Sequence, residues 1–91
     1  MTDIKKGFRT KGGDVSSFRK ESQARAKALG YSKSTKGTVD TFTKGEVTIT
    51  VVHSEKHYVQ KVTLNGEAKV IPGDAKKHIK LQALLIEQAG E

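Results

Sequence analysis

Residues 46–66 read EVTITVVHSEKHYVQKVTLNG, and this stretch decides the fold because apolar residues recur at every second position. Val47, Ile49 and Val51 fall on one side of an extended chain, with Thr and Val residues between and after them. Alternation at a period of two, rich in β-branched residues, is typical of half-buried antiparallel strands. The Asn-Gly pair at 65–66 tolerates the positive φ angles of a type I′ turn. The stretch therefore predicts strands joined by tight hairpin turns.

Further strands are predicted on both sides of this stretch, in one antiparallel sheet. The predicted spans are 38–43, 46–53, 57–64 and 67–71. Short turns favour pairing between sequential neighbours, and the polar connector 31–37 is a candidate for a short edge strand. Asp40, Lys61 and Lys69 are expected on the solvent-exposed face. The other face requires a cover, which the helical segments before and after the sheet can provide.

A first helix is predicted over residues 15–29, with Asp14 as its N-cap and Gly30 just past its end. The helical spacing gives an inner stripe of Val15, Phe18, Ser22, Ala26 and Leu29. We therefore expect Phe18 in the core, together with Phe42 of the sheet. Basic residues are expected on the outside, either as phosphate ligands or as an ordinary solvated face: Arg19, Lys20, Arg25 and Lys27.

A second helix is predicted over residues 74–88, after the break at Pro72-Gly73 and with Asp74 as its N-cap. Its broad apolar face is wide enough to be the main cover of the sheet, and it consists of Ile79, Leu81, Leu84, Leu85 and Ile86. The sequence therefore predicts a single α+β domain over residues 14–91. Its order is helix, antiparallel sheet of three to four strands, helix (α-β-β-β(-β)-α), with the helices packed on one face.

The bulk composition describes a small domain with a thin core, because only 34% of its 91 residues are hydrophobic and none is Trp. We expect marginal stability, raised by a partner or by formation of a homodimer. The chain has no cysteine, which excludes disulfides, thiol nucleophiles and thiolate metal sites. No apolar run reaches the length of a membrane span and no signal peptide is recognised, so we expect a cytoplasmic protein without a membrane partner.

Basic residues concentrate in the first part of the chain. The whole chain has 17 Lys and Arg against 10 Asp and Glu, a net charge of +7. Residues 1–36 contain ten basic and three acidic side chains, whereas residues 37–91 contain seven of each. This asymmetry indicates a polyanionic partner, most often nucleic acid, although solubility alone also selects it. Residues 1–13 are expected to be a flexible basic arm that follows phosphates, or a frayed terminus. Its cations are Lys5, Lys6, Arg9 and Lys11.

Lys76, Lys77 and Lys80, at the start of the second predicted helix, form the most informative cluster for function. The N-terminal end of a helix carries about half a positive charge, so cations there oppose helix stability. The same partial charge attracts phosphate, and lysines at spacing i, i+1 and i+4 are expected to converge on it. The alternative is a solvated face without a ligand.

The order helix, antiparallel strands, helix, with Lys-Lys-x-x-Lys in the segment KKHIK, resembles the double-stranded RNA-binding domain. In that family the equivalent lysines contact phosphates across a groove of the duplex. The resemblance implies the same role for Lys76, Lys77 and Lys80. Two positions depart from the family pattern, since Gly73 is all that remains of its glycine-rich lead-in and Ala75 stands where a serine is usual.

Histidines are the remaining candidates for chemistry. His53 and His57 flank a predicted turn, and His78 lies in the last helix. A His-x-x-x-His pair binds one metal when it lies on a helix, but across a turn the rings need not converge. HicA-type toxin nucleases share the topology of the resemblance, but their catalytic histidine follows a Gly-Ser pair, and here Gly37 is followed by Thr38. We therefore predict no catalytic residue, no metal and no cofactor.

The sequence thus predicts a small basic protein that contacts nucleic-acid backbone phosphates, with little sequence specificity and no enzymatic activity. Because Phe18 and Phe42 are assigned to the core, few aromatic side chains remain to stack on unpaired bases, which favours a duplex ligand. A preference for RNA over DNA follows from the resemblance alone. The alternative is a protein-binding regulator or inhibitor, of the phage or plasmid type, that docks onto an acidic surface of a larger complex. An exposed sheet edge would serve it by strand addition.

Overall fold

A five-stranded antiparallel sheet lies between two helices in the order of the chain. The structure is a computed structural model, and it describes residues 17–90. The elements are α1 Ser17–Ala28, β1 Ser32–Lys36, β2 Val39–Lys44, β3 Val47–His53, β4 Val59–Leu64, β5 Glu67–Val70 and α2 Lys77–Ala89. The predicted α+β class is confirmed, with five strands instead of three to four because the polar connector forms β1. The predicted N-cap Asp14 and the arm 1–13 lie outside the described residues.

The sheet is a meander in which each strand pairs with the next one along the chain. Phe42 of β2 pairs with Ile49 of β3, and Val51 of β3 pairs with Val62 of β4. At the β4–β5 hairpin, φ is +51° for Asn65 and +89° for Gly66. Two consecutive positive φ angles are the requirement of a type I′ turn, so the turn predicted from the Asn-Gly pair is confirmed.

Both helices cover the same face of the sheet, and the core lies between these two layers. The fully buried large apolar side chains are Phe42, Ile49, Val51, Val62, Val70, Leu81 and Leu85. Tyr31 joins the layers, because its buried hydroxyl donates to the backbone oxygen of Leu85 at 2.8 Å. No helix of residues 17–90 lies over the other face of the sheet. Lys36 and Lys61 lie on this face at the ends of one cross-strand row.

A β-bulge changes which residue of β4 enters the core. Strict period-two alternation along β4 would place Tyr58 in phase with Val62, but Val52 pairs with Lys61 while His53 pairs with Val59. One extra residue is thus inserted into β4, which reverses the alternation before it. As a result Val59 is buried and Tyr58 remains on the surface.

The two helices run parallel, so their N-terminal ends lie side by side. The ring of Phe18 at the start of α1 stacks on the ring of His78 at the start of α2, with centroids 4.5 Å apart. One turn further along both helices, Gln82 Nε2 donates to Ser22 Oγ at 2.8 Å. Ser22 Oγ in turn donates to the backbone oxygen of Phe18 at 3.0 Å, which explains a buried serine in the inner stripe.

The buried stripe of α1 differs from the prediction by one residue. Arg19, Ser22 and Ala26 are its buried side chains, whereas Phe18 keeps 46% of its surface exposed. The placement of Phe18 in the core and of Arg19 outside is therefore wrong. The reason lies in β2, where Asp40, predicted on the solvent face, is completely buried and pairs with Arg19.

The apolar face of α2 is only partly used as cover. Leu81, Leu84 and Leu85 are buried against the sheet, but Ile79 and Ile86 are largely exposed. Burial of three leucines fills the space over this thin sheet, and the two isoleucines at the margins of the face extend past it. Neither helix of the described segment is long and apolar enough to cross a membrane.

Candidate nucleic-acid interface

The start of α2 is built differently from the prediction, because Asp74 caps the preceding turn and not the helix. Asp74 Oδ2 accepts a hydrogen bond from the backbone N–H of Ile71 at 3.1 Å, and its own N–H donates to Ile71 O at 2.9 Å. The N-cap of α2 is Lys76, in the left-handed conformation with φ 55° and ψ 43°. A lysine ammonium can only donate, so this cap side chain accepts no hydrogen bond from the first amides of α2.

The three lysines of this segment border two different surface grooves. Lys76 and Lys77 line one, and Lys80 lines the other. Lys77 Nζ donates to the backbone oxygens of Pro72 at 3.2 Å and Asp74 at 3.0 Å, which holds it over the turn. Lys80 Nζ lies 3.8 Å from Asp74 Oδ2 and faces the side of α2 near β5. Lys76 precedes the helix, so helical spacing does not align it with Lys80. The convergence of all three on one phosphate stays a prediction.

Lys76 and Lys77 border an open groove at the adjoining ends of the two helices, which we call the aromatic groove. Its volume is about 370 Å³, and it is lined by Phe18, Tyr58, Val59, Lys76, Lys77, His78 and Ile79. The bulge in β4 and the one-residue displacement of the α1 stripe together leave Tyr58 and Phe18 here. The signal in the sequence for this groove is that Phe18 directly precedes Arg19. Because Arg19 and Ser22 are buried, Phe18 lies on the surface.

The cations of α1 are distributed over different sides of the helix. Lys20, Arg25 and Lys27 are exposed, as predicted. Lys20 and Lys27, seven residues apart, share the flank away from α2, whereas Arg25 borders a shallow groove beside Glu21 on the other flank. Arg19 is only 2% exposed and is not available to a phosphate. The predicted ligands Lys5, Lys6, Arg9 and Lys11 lie outside the described residues.

The buried Arg19 is neutralised by a carboxylate with a full set of hydrogen bonds. Arg19 Nε and Nη2 donate to the two oxygens of Asp40 at 2.9 and 2.8 Å. Gln23 Nε2 at 3.1 Å and Thr35 Oγ1 at 2.8 Å donate to the same carboxylate. Burial raises the pKa of Asp40, but the hydrogen bonds from Arg19, Thr35 and Gln23 outweigh it and hold the pKa below its ordinary value of 3.8. A bidentate, fully bonded pair of this kind compensates for the loss of hydration.

Two histidines border the Arg19–Asp40 pair in different ways. His53 Nδ1 lies 3.0 Å from the backbone oxygen of Thr38 and donates to it. Its buried Nε2 lies 4.0 Å from Asp40 Oδ2 and has no hydrogen-bond partner within residues 17–90. Burial lowers the pKa of His53 below its ordinary value of 6.5, and the charge of Arg19 acts in the same direction. The ring is therefore neutral at physiological pH.

His57 Nδ1 contacts Arg19 Nη1, and because a guanidinium only donates, this ring nitrogen is the acceptor. One nitrogen of His53 is thus bonded to Thr38 and one of His57 to Arg19, so both rings are held by the polar network. No group of three or more His, Cys, Asp or Glu within residues 17–90 is arranged to hold a metal ion. His78 instead stacks on Phe18 and has its Nε2 3.2 Å from Glu21 Oε1.

Comparison with protein-family models, with curated proteins and with solved structures finds no significant match to this chain. The function must therefore be inferred from the geometry and charge of the site itself.

Proposed function

We propose that this protein binds nucleic acid by contacting backbone phosphates, with little sequence specificity and without catalysis. The observation that supports this most is the parallel arrangement of α1 and α2, which brings both N-terminal ends to one edge of the fold. Neither helix has an acidic residue in its first turn. The two positive helix ends, about half a charge each, attract the same anion.

Lysine side chains reinforce this edge. Lys76 is exposed next to the uncapped amides of α2, and Lys77 is fixed over the adjacent turn by two backbone oxygens. Lysine contacts a phosphate as a point charge and does not read base edges, which is the reason for expecting weak sequence specificity. Lys20 and Lys27 extend the positive surface along α1, so we assign them a weaker, longer-range contribution.

The proposal is tested by fluorescence anisotropy with labelled duplex and single-stranded RNA and DNA over a range of salt concentrations. The variant is Lys76→Gln/Lys77→Gln, and the matched control is Lys36→Gln/Lys61→Gln, which removes the same charge from the uncovered face of the sheet. We expect the slope of log K against log salt to fall by about 0.9 for each duplex phosphate that the variant no longer neutralises, and only in the first variant. Absence of binding, or equal reductions in both variants, would contradict the proposal.

A protein-binding role is the second candidate, and the edge of the sheet favours it. All five residues of β1 are exposed, and among residues 17–90 β1 pairs only with β2. A partner strand with acidic side chains would find free backbone groups there and two flanking cations, Lys33 and Lys36. Excess bulk nucleic acid separates the two candidates, because it competes with a phosphate-bound ligand but not with a partner that adds a strand to β1.

A further inference from the structure

Large apolar side chains are concentrated on the surface at the aromatic groove. Phe18, Tyr58 and Ile79 are 46%, 49% and 60% exposed, and all three line it. Single exposed apolar residues are ordinary, but a contiguous group bordered by charges indicates a binding surface. The expectation that few aromatic side chains remain for stacking rested on Phe18 being in the core. Because Phe18 is exposed, its ring is available to stack on an unpaired base.

The aromatic rings at the groove form a connected row. Phe18 stacks on His78 at an interplanar angle of 27°, and its centroid is 6.5 Å from that of Tyr58 at 58°. His78 is held in place from the other side by Glu21. The row is thus supported by α1, α2 and the start of β4, while about half of the Phe18 and Tyr58 surfaces remain open. Such a surface fits a planar, apolar ligand.

The charge at the groove restricts the chemistry of that ligand. Among the described residues its lining includes two lysines, Lys76 and Lys77, and no carboxylate. The carboxylate of Glu21 is engaged with His78 outside the lining. A neutral apolar ligand would not need the lysines, and a simple anion would not need the rings. A planar ring joined to a phosphate uses both.

We propose that the aromatic groove binds an unpaired base of a nucleic-acid strand, with the base stacked on Phe18 and in contact with the ring of Tyr58, and with the neighbouring phosphates at Lys76 and Lys77. The volume of about 370 Å³ lies near the lower end of ligand pockets and suits one nucleotide unit. This inference rests on the proposed function and narrows its ligand. Strand ends, bulges and single strands are bound in preference to a continuous duplex, in which every base is stacked and inaccessible.

The test compares three labelled ligands of equal length on the full-length protein: a single strand, the same strand with abasic sites in place of its bases, and a blunt duplex. We expect the ordinary single strand to bind about tenfold more tightly than the abasic strand, in line with the measured contribution of base–aromatic stacking. Phe18→Leu/Tyr58→Leu keeps the groove apolar but removes the rings, and we expect it to abolish this difference. Ile71→Ala/Ile86→Ala is the control, because both isoleucines are exposed away from the groove.

The outcomes separate this inference from the proposed function. If the abasic strand binds as well as the ordinary one and the leucine variant matches the unaltered protein, the stacking inference is wrong while phosphate binding stands. If no ligand binds in a salt-dependent manner, the proposed function fails and the inference with it. If sedimentation shows instead that the groove joins two copies of the chain, and the leucine variant dissociates them, the inference is also overturned. Circular dichroism of both variants verifies that they are folded.

Discussion

Two sides of the first turn of α1 present opposite arrangements of charge and apolar surface. On the inner side, Arg19 is buried against the carboxylate of Asp40. On the outer side, Phe18, its immediate neighbour in the chain, is exposed at the aromatic groove beside Lys76 and Lys77. An ordinary amphipathic helix would place the aromatic residue inside and the cation outside. Here the two residues have exchanged positions.

This exchange is unfavourable for stability unless something compensates for it. A buried ion pair rarely stabilises a fold more than an apolar pair of the same volume, and an exposed Phe forgoes the gain from burial. Departures from local rules of this kind are expected where a protein has a function. The difference between the two sides shows that a cation in the sequence can be a structural residue, and that the neighbouring aromatic residue can be the better candidate for ligand contact.

The largest expected effect comes from breaking the inner side. Asp40→Asn removes the carboxylate charge that two hydrogen bonds join to the buried guanidinium of Arg19, and removal of one partner from a buried pair costs about 3–5 kcal/mol of unfolding free energy. Urea denaturation followed by circular dichroism measures this. The double variant Arg19→Met/Asp40→Leu is expected to be more stable than Asp40→Asn, because it removes both charges of the buried pair together. A loss below about 1 kcal/mol in Asp40→Asn would mean that the pair is not a structural requirement.

Acidification is expected to lower the free energy of unfolding by less than Asp40→Asn does. The polar network around Asp40 keeps all its side chains in acid and only gains a proton. The pKa of His53 is lowered in the folded state, so between its ordinary value of 6.5 and that lower value the unfolded chain binds more protons than the folded one. The free energy of unfolding therefore falls as the pH drops below 6.5. Asp40, whose pKa is also lowered, adds a second loss when the pH falls below 3.8.

Urea titrations between pH 8 and pH 5, chosen to span the ordinary histidine pKa of about 6.5, measure the first of these losses. His53→Gln is the control variant, since it removes the titrating ring while its amide can still donate to the oxygen of Thr38. We expect a flatter dependence on pH in this variant than in the unaltered protein. The same slope in both proteins would assign the loss to another group.

The sheet was predictable from the sequence because its information is local. The alternation of Val47, Ile49 and Val51 and the Asn-Gly pair of the β4–β5 turn each specify their structure within a few residues. The polar strand β1 was only a candidate, because Ser32–Lys36 contains no apolar residue and its pairing depends on β2. Local patterns thus specified the centre of the sheet, while its edge depended on a neighbouring strand.

The candidate site was less predictable, because its features depend on interactions between residues distant in sequence. A stripe at helical spacing that passes through Ser22 and Ala26 can include either Phe18 or Arg19, and hydrophobicity alone selects Phe18. The choice is made by Asp40, 21 residues beyond Arg19. The groove also depends on a bulge in β4, which period-two alternation does not reveal. The lysines at the start of α2 are visible in the sequence, but the left-handed cap at Lys76 is not.

The smallest effect on stability is expected from the outer side, at Phe18. Complete burial of a Phe side chain contributes about 1.5–3 kcal/mol to the free energy of unfolding. Phe18 is only about half buried, and its truncation leaves no enclosed cavity. Phe18→Ala should therefore lower the free energy of unfolding by about 1 kcal/mol. Phe42 is fully buried, and Phe42→Ala is the matched comparison, with an expected loss of about 3–5 kcal/mol. Urea denaturation of both variants measures the difference. If Phe18→Ala were as costly as Phe42→Ala, Phe18 would be a core residue in solution, and the exposed stacking surface at the aromatic groove would not exist.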